Sequence, residues 1–302
     1  MKQPQFTVAT GHAGEAISLE VALRFLFVCS LVIGLALALA PAAALAHAGL
    51  DTIDASTREE LTKHPDDPHA HLARGRFFQM KGEWDAALEE FEAASTRGGD
   101  PDLVAQARAF VYLEAGFPRM AKIELDRVLA RRPDLYALVF ERGRAWLAIG
   151  NGEAAARDFG EAIAKGAKPT PEQVIMHRDA LVGIGKKDEA LRALDDGMTR
   201  VGRVVSLELP AVDLEVELER WDAALARLDR LAATAPPNPL WIARRGEILE
   251  KAGRGAEARA EYAKALRLID SRPAGRRGKP LDDLKRRLET VLASAEHRGV
   301  SR

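Results

Sequence analysis

Several short strings in this chain carry residue types that could do chemistry. Asp158-Phe159-Gly160 and His177-Arg178-Asp179 spell D-F-G and H-R-D, which hold magnesium and accept a hydroxyl proton in phosphoryl transfer. That chemistry places H-R-D ahead of D-F-G, and here the order is reversed. Gly253-Arg254-Gly255-Ala256-Glu257-Ala258 fits G-x-G-x-x-A, but a dinucleotide site needs those glycines directly after a strand. Gly183-Ile184-Gly185-Lys186 lacks the earlier glycine and the Ser/Thr of a phosphate loop. Neither H-E-x-x-H nor G-x-S-x-G occurs. His64, His69 and His71 cluster with Asp66 and Asp67, and imidazole with carboxylate suits zinc or copper. Cleavage after Ala46 would add the amine and imidazole of His47. His69 and His71, however, stand two apart and face different ways on a helix. The segment reads as a polar helix start with Asp and Pro caps. The expectation is therefore no enzyme, no cofactor and no metal, with His47, His64, His69 and His71 the residues that would hold a metal if one bound.

The elements around these strings repeat. Gly82, Gly116, Gly150, Gly185, Glu219 and Gly253 recur at spacings of 34, 34, 35, 34 and 34 residues, each followed five residues later by alanine. Each ends one amphipathic helix and opens another. From Pro68, Gly75, Phe78, Ala87, Phe91 and Ala94 set a pattern repeated by Ala109, Tyr112, Ala121 and Leu125, then by Gly143, Trp146, Ala155 and Phe159. It continues in Leu181, Ala190 and Leu194, in Trp221, Ala224 and Leu228, and in Gly246, Leu249, Ala258 and Tyr262. Small residues let two helices approach closely while aromatic and aliphatic neighbours fill the space beside them. Regularity weakens at Arg178, which replaces a small residue, and at Pro210, where a helix is expected to start or kink.

This period and pattern resemble the tetratricopeptide-repeat family over about Pro68–Asp270. The resemblance implies an all-α, tetratricopeptide-type α-solenoid, a right-handed superhelix of helix-turn-helix repeats with short N-terminal and C-terminal capping helices. The expected division is 1–46 signal peptide or uncleaved anchor, 47–67 half-repeat cap, 68–270 six repeats, 271–280 basic linker and 281–302 closing helix and tail. Ile53 and Leu61 are the expected apolar contacts of the first cap. Leu281, Leu284, Leu288, Val291 and Leu292 form the stripe of the last.

Phe25 to Ala46 is apolar throughout, follows Arg24 and ends in two A-x-A sites, the pattern of a secretory signal. The long preceding segment carries Glu15 and Glu20, so initiation at Val21 would leave a more compact n-region. About 20 apolar residues could instead span a bilayer and anchor the chain in an inner membrane. Cys29, the only cysteine, lies within the run, so the mature chain would hold no disulfide. Net charge is −1, from 44 basic and 45 acidic residues, which gives no bulk attraction to nucleic acid.

In the family the first helices line an inner groove that takes peptides. By resemblance, the second, fifth, ninth, twelfth and thirteenth residues of each repeat face it: Leu72 and Arg76, Phe110 and Leu113, Phe140 and Arg144, Ile175 and Asp179, Asp213, and Glu247. Phe110 and Phe140 would sit where only a partner, or a C-terminal segment folding back, could bury them. The groove would run from basic (Arg76, Arg144) to acidic (Asp179, Asp213, Glu247, Glu250). The Lys, Asn and Arg clamp of members that grip chaperone C-termini is absent, since those places hold Leu72, Arg76, Gln106 and Phe110. The expectation is an exported adaptor of the periplasm or cell envelope that binds a protein or peptide in its groove, touching membrane only through its N-terminal segment. The alternative is a periplasmic metal or small-molecule carrier using the histidine-rich segment.

Overall fold

The computed structural model describes residues 49–300, without the side chains of Ala274 and 295–300. The apolar run 25–46 and His47 lie outside the described residues. The chain divides into two compact units, one ending at Gly99 and one beginning at Asp100. The first holds α1 (49–63), α2 (Pro68–Met80) and α3 (Trp84–Thr96). The second holds α4 (Pro101–Glu114), α5 (Pro118–Arg131), α6 (Tyr136–Ile149), α7 (Gly152–Lys165), α8 (Pro171–Gly183) and α9 (Lys187–Val201). It continues with α10 (Val205–Glu217), α11 (Trp221–Thr234), α12 (Pro239–Lys251), α13 (Gly255–Asp270) and α14 (Lys279–Val300), with a 3₁₀ turn at Ala274–Arg276. Within the second unit each helix packs on its neighbours in sequence, and α14 also touches α12. Among the described residues there is no strand, and no helix is long and apolar enough to cross a membrane.

Helix starts follow the side chains available to cap them. Asp67, Asp100, Asn151 and Asn238 each accept a hydrogen bond from a backbone N–H of the first turn. Thr170 and Gln173 form a reciprocal capping box. Proline opens α2, α4, α5, α8 and α12, where its missing N–H would have had no helical partner.

The hairpin turns share one geometry. At each, the turn residue donates its N–H to a carbonyl three residues back, and the next residue donates to one five residues back. Gly82 to Gln79 with Glu83 to Phe78 is one example, and Glu219 to Val216 with Arg220 to Glu215 another. This double closure needs a left-handed residue at the turn. Glycine supplies it at five turns, with φ between +73° at Gly82 and +90° at Gly150. The sixth is Glu219 at φ +57°. A non-glycine residue there stores strain of about 1 kcal/mol or more. Glu219→Gly is accordingly expected to raise the denaturation midpoint, a net gain of about 0.5–1 kcal/mol after the entropy glycine adds to the unfolded chain. A lowered midpoint would show that the glutamate side chain outweighs the strain.

Between paired helices a large side chain sits in the space glycine leaves. A Cβ on Gly75 would lie 2.3 Å from the Phe91 ring, on Gly143 2.7 Å from Phe159, and on Gly246 2.4 Å from Tyr262. In the α8–α9 hairpin the arrangement inverts. Arg178 stands at the small position, and the close approach comes instead from Gly197 on α9, whose Cβ would lie 2.4 Å from Val174.

Two expectations are corrected. Helix α10 begins at Val205 and continues through Pro210 to Glu217, so of the start or kink expected at Pro210 the start is overturned. Pro210 removes one hydrogen bond, to the carbonyl of Ser206 in the first turn, and Ser206 is exposed so water can serve that carbonyl. Of the two apolar contacts expected for helix α1, Ile53 is exposed while Leu61 is partly buried. A polar contact ties α1 to α2: Arg74 Nη1 donates to Asp54 Oδ1 at 2.5 Å and to Thr57 Oγ1 at 3.1 Å. At the other end Leu281, Leu284 and Leu288 of α14 are buried, and Val291 and Leu292 pack beside them.

Candidate functional site

In the second unit the first helices carry a row of apolar side chains that keep part of their surface in water. Phe110, Ile175 and Val182 pack their inner edges on the core, and Leu113 is half-buried. Between α6 and α8 lies a cavity of about 260 Å³, floored by Phe140 and walled by Tyr136, Ala137, Gln173 and the connection 166–170. That connection is five residues long, against four at 132–135 and at 235–238. The extra residue is the one that makes a single turn spacing 35 instead of 34. Arg200 holds the longer connection from α9, donating to the carbonyl of Gly166 at 3.0 Å.

Two residues expected to be open to a partner are not. Phe140 is 4% exposed, its ring 4.7 Å from that of Phe159, so the chain itself buries it and only the cavity reaches it. Leu72, in the first unit, is also 4% exposed.

The expected change of charge along the groove is largely neutralised within the chain. Asp179 pairs with Arg178 at 2.9 Å, Asp213 with Arg244 at 2.7 Å, and Glu247 with Arg244 at 3.2 Å and Arg287 at 3.3 Å. Glu250 accepts the Tyr262 hydroxyl at 2.9 Å. Burial and that carboxylate push the phenol well above its ordinary range, so it stays protonated and donates. Arg144 pairs with Glu141 at 2.6 Å. Exposed pairs such as these add little stability, but they weaken the field a ligand would feel. Arg76 is exposed and makes no ion pair among the described residues.

The catalytic-looking strings are used for packing. Asp158 is buried and bound by Arg142 through two hydrogen bonds of 2.7 and 3.1 Å, Phe159 fills the space over Gly143, and Gly160 makes room for the His177 ring. Gly253 is a hairpin turn. Of the histidines, His71 is buried with both ring nitrogens engaged, Nδ1 to Glu90 at 2.7 Å and Nε2 to the Pro65 carbonyl at 3.0 Å. His69 and His64 are exposed, and the described residues bring no three His, Cys, Asp or Glu together as metal ligands.

One feature escaped sequence reasoning. Glu208, Glu215 and Arg227 are 1%, 5% and 5% exposed, and they face one another between α10 and α11. Arg227 makes a fork of two 2.8 Å bonds to Asp195 on α9 and lies 3.4 Å from Glu215 and 3.5 Å from Glu208. Arg203 adds a 2.5 Å bond to Glu208. Burial alone would lower the guanidinium pKa, but Asp195 and the two glutamates outweigh it and raise it. A signal was present: the 34-residue spacing places Arg227 where Asp158 stands two repeats earlier and Glu261 one repeat later.

Residues 107–170 and 209–273 match the sequence model of the tetratricopeptide repeat. The chain is 28% identical over 165 residues to DnaJ homolog subfamily C member 3 of Mus musculus, a match covering 54% of this chain and 31% of that protein. It therefore spans under a third of that relative. Among solved structures it resembles PilW, a type IV pilus biogenesis factor, with TM-score 0.51 and 20% identity over 63% of this chain and 87% of that one. It also resembles a tetratricopeptide repeat protein of Parabacteroides merdae, with TM-score 0.47 and 18% identity over 80% and 92%. At such identities the likeness concerns fold alone. A helix pair closes on the same turn about every 34 residues, and the repeat's own sequence model matches two stretches of the array, so residues 107–170 and 209–273 are tetratricopeptide repeats.

Proposed function

We propose that this protein is an exported interaction scaffold of the periplasm or cell envelope, built on six tetratricopeptide repeats. It holds a peptide or protein segment against the first helices of its second unit. The observation that carries the reading is the half-exposed apolar row of Phe110, Leu113 and Ile175 beside the cavity over Phe140. Apolar side chains of this kind offer anchoring points, while paired charges around them set register more than affinity. Export is read from the apolar run 25–46.

The test is site-specific photocrosslinking in intact cells, followed by fractionation. A crosslinker at Leu113 or Ile175 is expected to trap the same partner, in the envelope fraction, and one at Arg127 on α5 to trap none. Phe110→Ala should weaken that partner's binding about tenfold, or about 1.4 kcal/mol. Equal crosslinking from Arg127, or unchanged binding by Phe110→Ala, would overturn the groove assignment. Recovery in the cytosol would overturn export.

A further inference from the structure

Repeats three and six plug the space between their two helices with an ion pair. In one, Arg142 on α6 binds Asp158 on α7, and in the other Arg245 on α12 pairs with Glu261 on α13 at 3.5 Å. The corresponding residues of the α8–α9 hairpin are His177 and Ala193, so a guanidinium and a carboxylate give way to an imidazole and a methyl group. Where that bulk is missing there is a cavity of about 380 Å³. His177 and Ala193 line it, with Glu153 and Arg157 reaching in from α7 and Arg192 and Asp196 from α9. Its volume lies toward the lower end of the roughly 300–1,000 Å³ of small-molecule sites.

Six charged residues line the cavity. Lys186 and Glu189 pair with each other at 3.6 Å. Glu153, Arg157, Arg192 and Asp196, by contrast, make no side-chain hydrogen bond or ion pair among the described residues. Two cations and two anions thus surround one cavity without neutralising one another. Burial holds the His177 imidazole below its ordinary pKa, against the opposing pull of the Ala156 backbone, Asp196 and Glu189. At neutral pH the ring is uncharged and serves as a hydrogen-bonding group.

We propose that this cavity is a binding site for a small zwitterion of the amino-acid or short-peptide class. The ligand's carboxylate is met by Arg157 and Arg192, its ammonium by Glu153 and Asp196, and its body by His177 and Ala193. The site opens between the second helices α7 and α9 over His177 and Leu181 of α8, shares no lining residue with the cavity over Phe140, and stands or falls independently of the groove.

The experiment follows the His177 ring resonances of the full chain by NMR while glycine, glutamate, arginine and glycylglycine are added in turn. At least one probe is expected to shift His177 saturably in the millimolar range or tighter. The same compound with its amine acetylated and its carboxylate amidated should not shift it. Preference between the free amino acids and glycylglycine distinguishes the two sources of the shared chemistry. Arg157→Gln/Arg192→Gln, two exposed changes that leave the packing intact, should weaken binding at least tenfold. No saturable shift with any of the four probes, equal binding of the blocked compound, or an unchanged affinity in the double variant would each overturn the proposal.

Discussion

Replacing Phe159 by alanine is expected to destabilise the second unit by about 3–5 kcal/mol, the cost of removing a wholly buried aromatic ring. No part of the Phe159 side chain reaches solvent. The ring occupies the only space that Gly143 leaves on α6 and stacks at a tilt against Phe140. Its loss leaves a void where two helices are held apart, and neither glycine nor the rigid helix backbones can collapse to fill it. Phe159→Leu should cost less, because part of the volume remains. Denaturant unfolding followed by circular dichroism reads the loss, and hydrogen exchange should place it in α6 and α7. A loss below about 1 kcal/mol for the alanine variant would mean that the ring is not the spacer between those helices. The same reasoning makes Phe140 a poor probe of partner binding. Truncating it damages the core, which is why Phe110, with its outer edge in water, is the better test.

A second large effect is expected at Arg227. Substitution by methionine leaves Glu215 buried without a cation and Glu208 with Arg203 alone, and breaking a buried ion cluster in this way costs about 3–5 kcal/mol. The further changes Glu208→Gln and Glu215→Gln should restore most of that loss, since the penalty lies in the stranded charges. The pH dependence has a definite sign. A buried carboxylate without a partner has its folded pKa raised, so the folded variant binds more protons than the unfolded chain. The defect of Arg227→Met is therefore expected to shrink as pH falls from 7 toward 5. Thermal unfolding at both pH values checks this. A defect that is constant with pH, or that persists in the triple variant, would assign the cost to lost packing of the arginine stem.

Much of the fold was legible because the turn positions are dictated by backbone geometry. A left-handed residue is needed once per hairpin, glycine marks five of the six, and the period follows. What was not legible depended on pairs. Arg178 at a small position looks like a broken repeat until Gly197 is seen to supply the close approach from the opposite helix. Pro210 looks like a helix start because its effect on the ladder is certain, whereas the exposure of Ser206 that makes the effect mild is not written in the local sequence. Phe140 and Leu72 fall on first helices as the pattern requires. Whether such a residue faces the rim or the seam between helices turns on a fraction of a helical step, and the period alone does not resolve it. The charges were read singly, and their partners lie up to 40 positions away, as with Glu247 and Arg287. The cavity at His177 stayed hidden for a related reason: it is defined by an ion pair that other repeats have and this hairpin lacks.

The neighbour-by-neighbour packing of the second unit has a consequence for how such a chain can grow. Every helix finds its main partners within about one repeat of itself. The loop that must close to form each contact is therefore about as long at one end of the stack as at the other. Closure entropy rises with loop length, so in this arrangement it does not accumulate as hairpins are added. Stability then increases by a nearly constant increment per hairpin, and folding can begin at any strong hairpin and spread outward. The unit behaves as a sum of adjacent interfaces, which leaves room for one hairpin, α8–α9, to give up its internal ion pair without taking the rest apart.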